Sequence, residues 1–323
     1  MQKTLIITGG GIGDIVCLIP LLRRLRSDGH LITLVYFGAD PIHELLDDQQ
    51  LIDELHVRPN KWALIRFCIS RIRFFEGVLL THLCRGRIAS AIAFVTARKV
   101  IRSQQVAQVP EKHEIIHYQE CFYGDKESSQ YTSPSIVLSE SKGIDKEYVL
   151  VQPFAGNGKA PHKQWDPAYW PQLLSSLSER FPTLTWVIVG EKGEQATRLF
   201  DPENKQVEDW VGKTSLRQLR NLAAYCKGYV GVDTGLIHLV AAFDHPTLTI
   251  FGGSNHKRFG YEVMDANRHR VIRQEMPCHP CNDWFQPNRS KVSDPSACSD
   301  FCCIRTITVD QVLSECMRTI SQW

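Results

Sequence analysis

Apolar runs of strand length alternate with longer segments of helical period along most of this chain, and no other feature of the sequence limits the fold so tightly. In the first part, "TLIIT" (4–8) is followed by a segment in which Ile15, Leu18, Ile19, Leu22 and Leu25 share one helical face, and then by "LITLVYF" (31–37). Pro20 falls inside that segment, where it either kinks the helix or restarts it. The second part repeats the rhythm more regularly. Its strands are "YVLVQPF" (148–154), "TWVIVG" (185–190), "GYVGVD" (228–233) and "TLTIFGG" (247–253), separated by helices through "PAYWPQLLSSLSERF", "SLRQLRNLAAYC" and "GLIHLVAAF". Nearly continuous apolar strands between amphipathic helices suit a parallel sheet covered on both faces, because both sides of every strand must be buried. The expectation is an α/β chain, doubly wound twice over. The polar, serine-rich stretch 123–147 marks the junction and places a boundary near residue 145, giving domains 1–145 and 146–323.

With 323 residues, 43% of them hydrophobic, the chain can bury two cores of ordinary domain size. A net charge of +2 gives no overall reason to expect a nucleic-acid partner or an acidic tail. The opening "MQKTLIITGG" reads as a first strand rather than a charged leader before an apolar stretch. The longest apolar runs, such as "IASAIAFVTA" (88–97), are about half of the ~20 residues a membrane span needs. These features favour a cytoplasmic chain that does not span a membrane. In that setting the eleven cysteines are expected to stay reduced or to bind metal.

The turn after the first strand, "TGGGIGD" (8–14), invites comparison with a dinucleotide fingerprint. Read from Gly9, that pattern needs glycine at position 14 and finds Asp14 instead. A carboxylate at a helix N-terminus repels a pyrophosphate and is itself kept ionised there, so it suits a general base or a helix cap better than a phosphate clamp. The phosphate site is expected in the second half. In "YVGVDTGLIHLVAAF" the strand ends at Asp233, Thr234 can cap, and a helix opens at Gly235, leaving backbone N–H groups aimed at the carboxyl edge of the sheet. His238 follows on the first helical turn. The loop "PFAGNGKAPHKQW" (153–165) brings Lys159 and Lys163 to the same edge, where a lysine stabilises negative charge on a leaving diphosphate. After "TWVIVG", Glu191 or Glu194 can accept hydrogen bonds from a ribose.

Taken in order, "GGGIGD", "KQW", "VGVDTGLIHLVAAF" and "TIFGGSN" resemble glycosyltransferase family 9, the bacterial heptosyltransferases of the lipopolysaccharide core. The resemblance implies a GT-B architecture: two facing Rossmann-like domains with a central cleft, acceptor on the first and nucleotide sugar on the second. It also implies inverting transfer without a catalytic metal or other cofactor, typically from ADP-L-glycero-D-manno-heptose. Carried onto this sequence, the family's base falls on Asp14, with Gly11 and Gly13 in the acceptor-side loop. Its catalytic lysine falls on Lys163, and its diphosphate turn on Asp233, Thr234, Gly235 and His238; Glu194 is the candidate for the ribose. Hydroxyl side chains that the family often carries before the lysine are replaced here by Gly158 and Lys159, which leaves the donor contacts and the sugar open. Domain closure would exclude the water that otherwise competes as acceptor.

Two further stretches bear on partners. Residues 56–105 hold ten basic residues against the single acid Glu76, interleaved with Trp62, Phe67, Phe74 and Phe75. Such a surface suits a lipopolysaccharide acceptor and a peripheral contact with the inner membrane, and no nucleic-acid module accompanies it. Near the C-terminus, Cys278, Cys281, Cys298 and Cys302, with Cys303 adjacent, have the spacing of a tetrahedral thiolate site for a structural Zn or Fe. Relatives that heptosylate autotransporter proteins are thought to carry a cysteine-bound metal at a similar position, so the resemblance also raises a protein acceptor. The remaining cysteines read as small buried apolar residues. Other function classes are a non-catalytic nucleotide-sugar or metal scaffold, and a nicotinamide-dependent dehydrogenase, which Asp14 disfavours.

Overall fold

Strand and helix alternate to give two separate parallel sheets, each in its own compact unit, Met1–Ser139 and Glu140–Trp323. The computed structural model describes residues 1–84, 86–103, 112–124, 133–138, 144–156, 160–196, 199–279, 281 and 298–323.

The N-terminal unit runs β1 (Lys3–Thr8), α1 (Ile12–Ser27), β2 (Leu31–Tyr36), α2 (His43–Leu46), β3 (Glu54–Val57), α3 (Lys61–Ser70), β4 (Phe75–Leu80), α4 (Arg87–Thr96), β5 (Ala97–Arg102) and α5 (Glu114–Tyr123). Its strands are all parallel, in the order β3-β2-β1-β4-β5. The central position of β1 explains its unbroken apolar run: Leu5, Ile6 and Ile7 are wholly buried on both faces. Helix α1 continues from Ile12 to Ser27 through the buried Pro20, so the restart does not occur. The run at 88–97 is not one element but all of helix α4 except its first residue, together with the first residue of β5. Because β2 and β4 flank β1 on opposite sides, the sheet's switch point lies beside β1, at the turn that holds Asp14.

The C-terminal unit runs β6 (Tyr148–Gln152), α6 (Trp170–Arg180), β7 (Thr185–Ile188), β8 (Val207–Asp209), α7 (Leu216–Tyr225), β9 (Gly228–Val232), α8 (Gly235–Ala241), β10 (Thr247–Ile250), α9 (His256–Phe259), β11 (His269–Ile272), α10 (Cys302–Arg305) and α11 (Val309–Thr319). Its six strands are parallel in the order β11-β10-β9-β6-β7-β8, with the switch between β6 and β9. The four expected strands all form but end earlier than their apolar runs, since each chain leaves the ladder to enter its loop: β6 stops at Gln152, β7 at Ile188, β9 at Val232 and β10 at Ile250. The edge strands β8 and β11 escape a search for apolar runs because they carry charged residues, Glu208, Asp209 and Arg270. The core is organised around Trp165, Trp170 and Trp186, all wholly buried, with Trp165 edge-on to Trp170 at 5.1 Å.

Candidate active site

In the N-terminal unit, β1 ends at Thr8 and the chain turns through three glycines before α1. Gly10 takes φ +81°, the left-handed region that glycine adopts without strain, and a Cβ there would strike the Asp14 carboxylate and the Leu83 side chain. The turn is held from two sides. Asp14 Oδ2 accepts the Gly11 N–H at 2.8 Å, and the Tyr36 hydroxyl donates to the Gly10 carbonyl at 2.8 Å. Burial first, then the negative charges of Asp40 and Asp14, push the Tyr36 phenol up to about 12, so it remains a donor at any physiological pH. Capping and chemistry are therefore compatible readings of Asp14: the cap fixes the direction of a half-buried carboxylate in the first turn of a sixteen-residue helix. Gly13 is buried within that turn and Gly11 precedes it.

Beyond β4, the same sheet edge carries a polar group that the sequence did not flag. His82 Nδ1 lies 3.8 Å from Glu114 Oε1, with both side chains buried, and the His82 ring stacks on Tyr118 at 6.3 Å. The His82 N–H donates to Ser103 Oγ at 2.8 Å. Only the strand order, with β4 beside β1, brings this group near the Asp14 turn, so no local pattern announces it.

In the C-terminal unit, the loop after β6 closes with a 3-10 turn, Pro161–Lys163, and Lys163 Nζ lies 2.8 Å from Asp233 Oδ2 at the end of β9. The two loops meet because β6 and β9 are neighbours at the switch. Lys163 keeps 23% of its side chain exposed, while Asp233 keeps 4%. Burial alone would raise the Asp233 carboxyl; the Lys163 charge, hydrogen bonds from Lys163 and Ser254, and the nearby His238 outweigh it and hold the group below the usual aspartate range. Asp233 thus sits beneath Lys163 and fixes its ammonium. Thr234 caps α8 by accepting the Leu236 N–H at 3.4 Å, and His238 is buried with Nδ1 3.0 Å from the Tyr261 hydroxyl. Glu194 folds back so that Oε2 accepts the Glu191 N–H at 2.7 Å beside Gly190. His256, at the start of α9, is pushed down to about 4 by burial first and by Arg273 second, so it stays neutral near pH 7. Gly158 and Lys159 lie outside the described residues.

The residues around Lys163 are stitched tightly. Gln164 donates to the Pro153 carbonyl at 2.7 Å and accepts the Ala155 N–H at 3.0 Å; Trp165 donates from Nε1 to the Ile307 carbonyl at 2.8 Å. A Cβ on Gly252 would run into the His162 carbonyl, so the glycine turn after β10 and the Lys163 turn pack backbone to backbone. Trp165→Ala is expected to cost the C-terminal unit about 3–5 kcal/mol, and Trp165→Phe, which orphans the Ile307 carbonyl and leaves a smaller void, about 1–3 kcal/mol, in urea unfolding followed by circular dichroism.

The cysteine segment packs against the same turn, with Cys281 Cβ 3.7 Å from where a Cβ of Gly253 would lie. Burial first, then the neighbouring Cys278 and Cys298, push the Cys281 thiol up to about 11. Burial and the same sulfur group push Cys303 up to about 12. Cys298 Sγ approaches Asp300 Oδ1 at 3.5 Å, and the hydrogen bond with Asp300 raises the Cys302 thiol. The donor set is the soft thiolate type that holds Zn or Fe. Among the described residues, however, no three His, Cys, Asp or Glu side chains converge closely enough to hold a metal ion.

The model of the family described as glycosyltransferase family 9 (heptosyltransferase) matches residues 96–290, more than half of the chain. The chain belongs to glycosyltransferase family 9. Among relatives of this family, lipopolysaccharide heptosyltransferase 1 of Pseudomonas aeruginosa is 35% identical over 122 residues, 37% of this chain and 32% of that protein, so the chain spans about a third of the length of this curated relative. The fold is shared with the E. coli ADP-heptose lps heptosyltransferase II (TM-score 0.70, 17% identity, 99% of each chain covered). It is also shared with the iron-containing dodecameric glycosyltransferase TibC of enterotoxigenic E. coli (TM-score 0.60, 16% identity, 100% of this chain and 80% of that one). Two doubly wound units in this order are the GT-B arrangement of family 9 structures.

Proposed function

We propose that this family 9 chain is an inverting glycosyltransferase that moves a heptose, or a closely related sugar, from an ADP-sugar to a lipopolysaccharide core acceptor without a catalytic metal. The observation that carries the reading is Lys163, a partly exposed ammonium held by a buried, ionised Asp233 beside the first turn of α8. A cation fixed in this way is preorganised for charge that develops only as the nucleotide leaves. The likeness to the Pseudomonas lipopolysaccharide heptosyltransferase and to the E. coli ADP-heptose heptosyltransferase supports the donor and acceptor classes.

In the proposed reaction Asp14 takes the proton from the acceptor hydroxyl as that oxygen attacks the anomeric carbon, and the bond to the diphosphate breaks on the opposite face. Lys163 and the α8 N–H groups take up the diphosphate charge; Asp233 and His238 position them, and Glu194 accepts from a ribose hydroxyl. Gly10→Ala moves the Asp14 carboxylate without removing it, so turnover is expected to fall at least about tenfold while nucleotide affinity holds, as steady-state rates and ADP titration would read.

The deciding experiment incubates the protein with a panel of nucleotide sugars and a core acceptor lacking one sugar, and weighs the products. A gain of one heptose with release of ADP supports the reading; tight nucleotide binding without turnover supports a non-catalytic scaffold instead. The likeness to TibC favours testing a protein acceptor in parallel. For the cysteine group, a structural metal on Cys278, Cys281, Cys298 and Cys302 would tie down the segment beside the Lys163 turn, and no step of transfer passes through it. Elemental analysis of the purified protein tests this: about one Zn or Fe per chain, lost in a Cys281→Ser/Cys298→Ser variant, would mean that the four thiols draw together around a metal, and its absence would leave them as free thiols.

A further inference from the structure

Helix α3 is apolar almost all round, yet Phe67 is the only residue of its ten that is buried. A helix of that composition normally lies inside a protein or against another apolar phase. Trp62 and Ile69 are 77% and 69% exposed, and Ile72 in the following turn is 65% exposed. The exposed face of α4 is likewise apolar: Ile88 is 62% exposed and Phe94 69%, with Ala91 and Val95 between and beside them. These belong to one surface. Helix α3 packs along α4, and the Arg73 N–H donates to the Val95 carbonyl at 3.0 Å, which draws the turn after α3 against the end of α4.

Apart from Glu76, the charge on this stretch has one sign. Lys61, Arg66, Arg73, Arg87, Arg98 and Lys99 are exposed, and among the described residues no ion pair engages their side chains. Glu76, the one acid of the stretch, is taken by the Lys3 backbone N–H. A protein interface of this size would be expected to supply counter-ions of its own or a depleted charge at its centre. Exposed Trp, Ile and Phe side chains ringed by unpaired cations fit a different phase, one that is apolar inside and anionic at its boundary.

We infer that the α3–α4 face of the N-terminal unit is a docking surface for an anionic phospholipid bilayer. Trp62, Ile69, Ile72, Ile88 and Phe94 enter the interfacial layer, and the lysines and arginines contact headgroup phosphates. No described helix is long and apolar enough to cross a membrane, and the attachment inferred here is a peripheral one. The inference deepens the proposed function by giving a lipid-borne acceptor a surface to be met on, but it does not rest on sugar transfer and is read by a separate assay.

The test is co-sedimentation of the whole protein with vesicles of phosphatidylcholine alone and with roughly a third phosphatidylglycerol, at low and physiological salt. The wild type should sediment with the anionic vesicles and weaken as salt rises. Ile69→Ser/Ile88→Ser/Phe94→Ser should bind them at least about tenfold more weakly, since each substitution takes an apolar side chain out of the interfacial layer. Its circular dichroism and its turnover on a soluble, lipid-free acceptor should match the wild type, and a Lys61→Gln/Arg66→Gln/Arg98→Gln variant should lose the anionic preference first. Failure of the wild type to sediment, equal binding to both vesicle types, or equal binding by the triple variant would each overturn the inference. So would self-association abolished by the Ser substitutions in a protein that ignores vesicles, which would make the face a contact between copies.

Discussion

Asp14→Asn is expected to lower turnover by about 10²- to 10⁴-fold, the usual worth of a positioned general base, while changing ADP affinity by no more than about twofold. The amide keeps the size of the carboxylate and can still accept the Gly11 N–H that Asp14 accepts at 2.8 Å, so the first turn of α1 should remain intact. The amide has no basicity at neutral pH, and the acceptor hydroxyl then attacks without proton removal. A stability loss limited to roughly 1 kcal/mol, the ordinary cost of weakening a cap, separates the chemical effect from a structural one. Asp14→Ala, which removes the cap as well, should add that cost without a further large drop in rate.

Lys163→Met carries the second large effect, because it leaves Asp233 charged and unpaired in the interior. Removing one partner of a buried pair typically costs about 3–5 kcal/mol, and that loss should appear in the unfolding of the C-terminal unit at neutral pH. Its pH dependence has a defined sign. In the wild type the Asp233 carboxyl is held below 3.8, so the pair adds stability at pH above that value, and the contribution fades as pH falls through the lowered folded pKa. Without Lys163, burial dominates and the carboxyl titrates higher in the folded protein than in the unfolded chain. The variant is then penalised most near neutrality and recovers as acid protonates Asp233, so the gap between wild type and variant narrows on acidification. Adding Asp233→Asn to Lys163→Met removes the stranded charge and should restore most of the stability but none of the turnover. Urea unfolding across pH, read separately for each unit, checks all of this.

How much of this was legible in the sequence depended on where information is stored. The C-terminal strands β6, β7, β9 and β10 are central, buried on both faces and therefore apolar end to end, and they stood out. The edge strands β8 and β11 need burial on less of their surface and tolerate charge, so they did not. In the N-terminal unit β4 and β5 carry Glu76, Arg98 and Lys99 within the strand and were missed, and the apolar run at 88–97 concealed a helix and a strand start behind one composition.

The candidate site divides in the same way. Glycine turns and helix starts are local, so Asp14, Lys163, Thr234 and Gly235 could be named from spacing. No motif announces the Lys163–Asp233 ion pair, because it follows from β6 lying beside β9. Tyr36 supports the Asp14 turn only because β2 pairs in register with β1, Thr8 opposite Tyr36, and His82 and Glu114 belong to the same edge only through β4. The density of cations at 56–105 could be counted directly. That they surround exposed Trp62, Ile69 and Phe94, while Phe67 and Phe75 turn inward, is decided by how α3 and α4 pack and shows in no local pattern.

Acceptor-dependent release of ADP from ADP-heptose is the measurement that decides whether Asp14 serves as the base of sugar transfer. Wild-type protein should release ADP rapidly only when the core acceptor is present, and Asp14→Asn should bind the donor yet release almost none. Equal acceptor-dependent rates in the two proteins, or release by the wild type that ignores the acceptor, would contradict it.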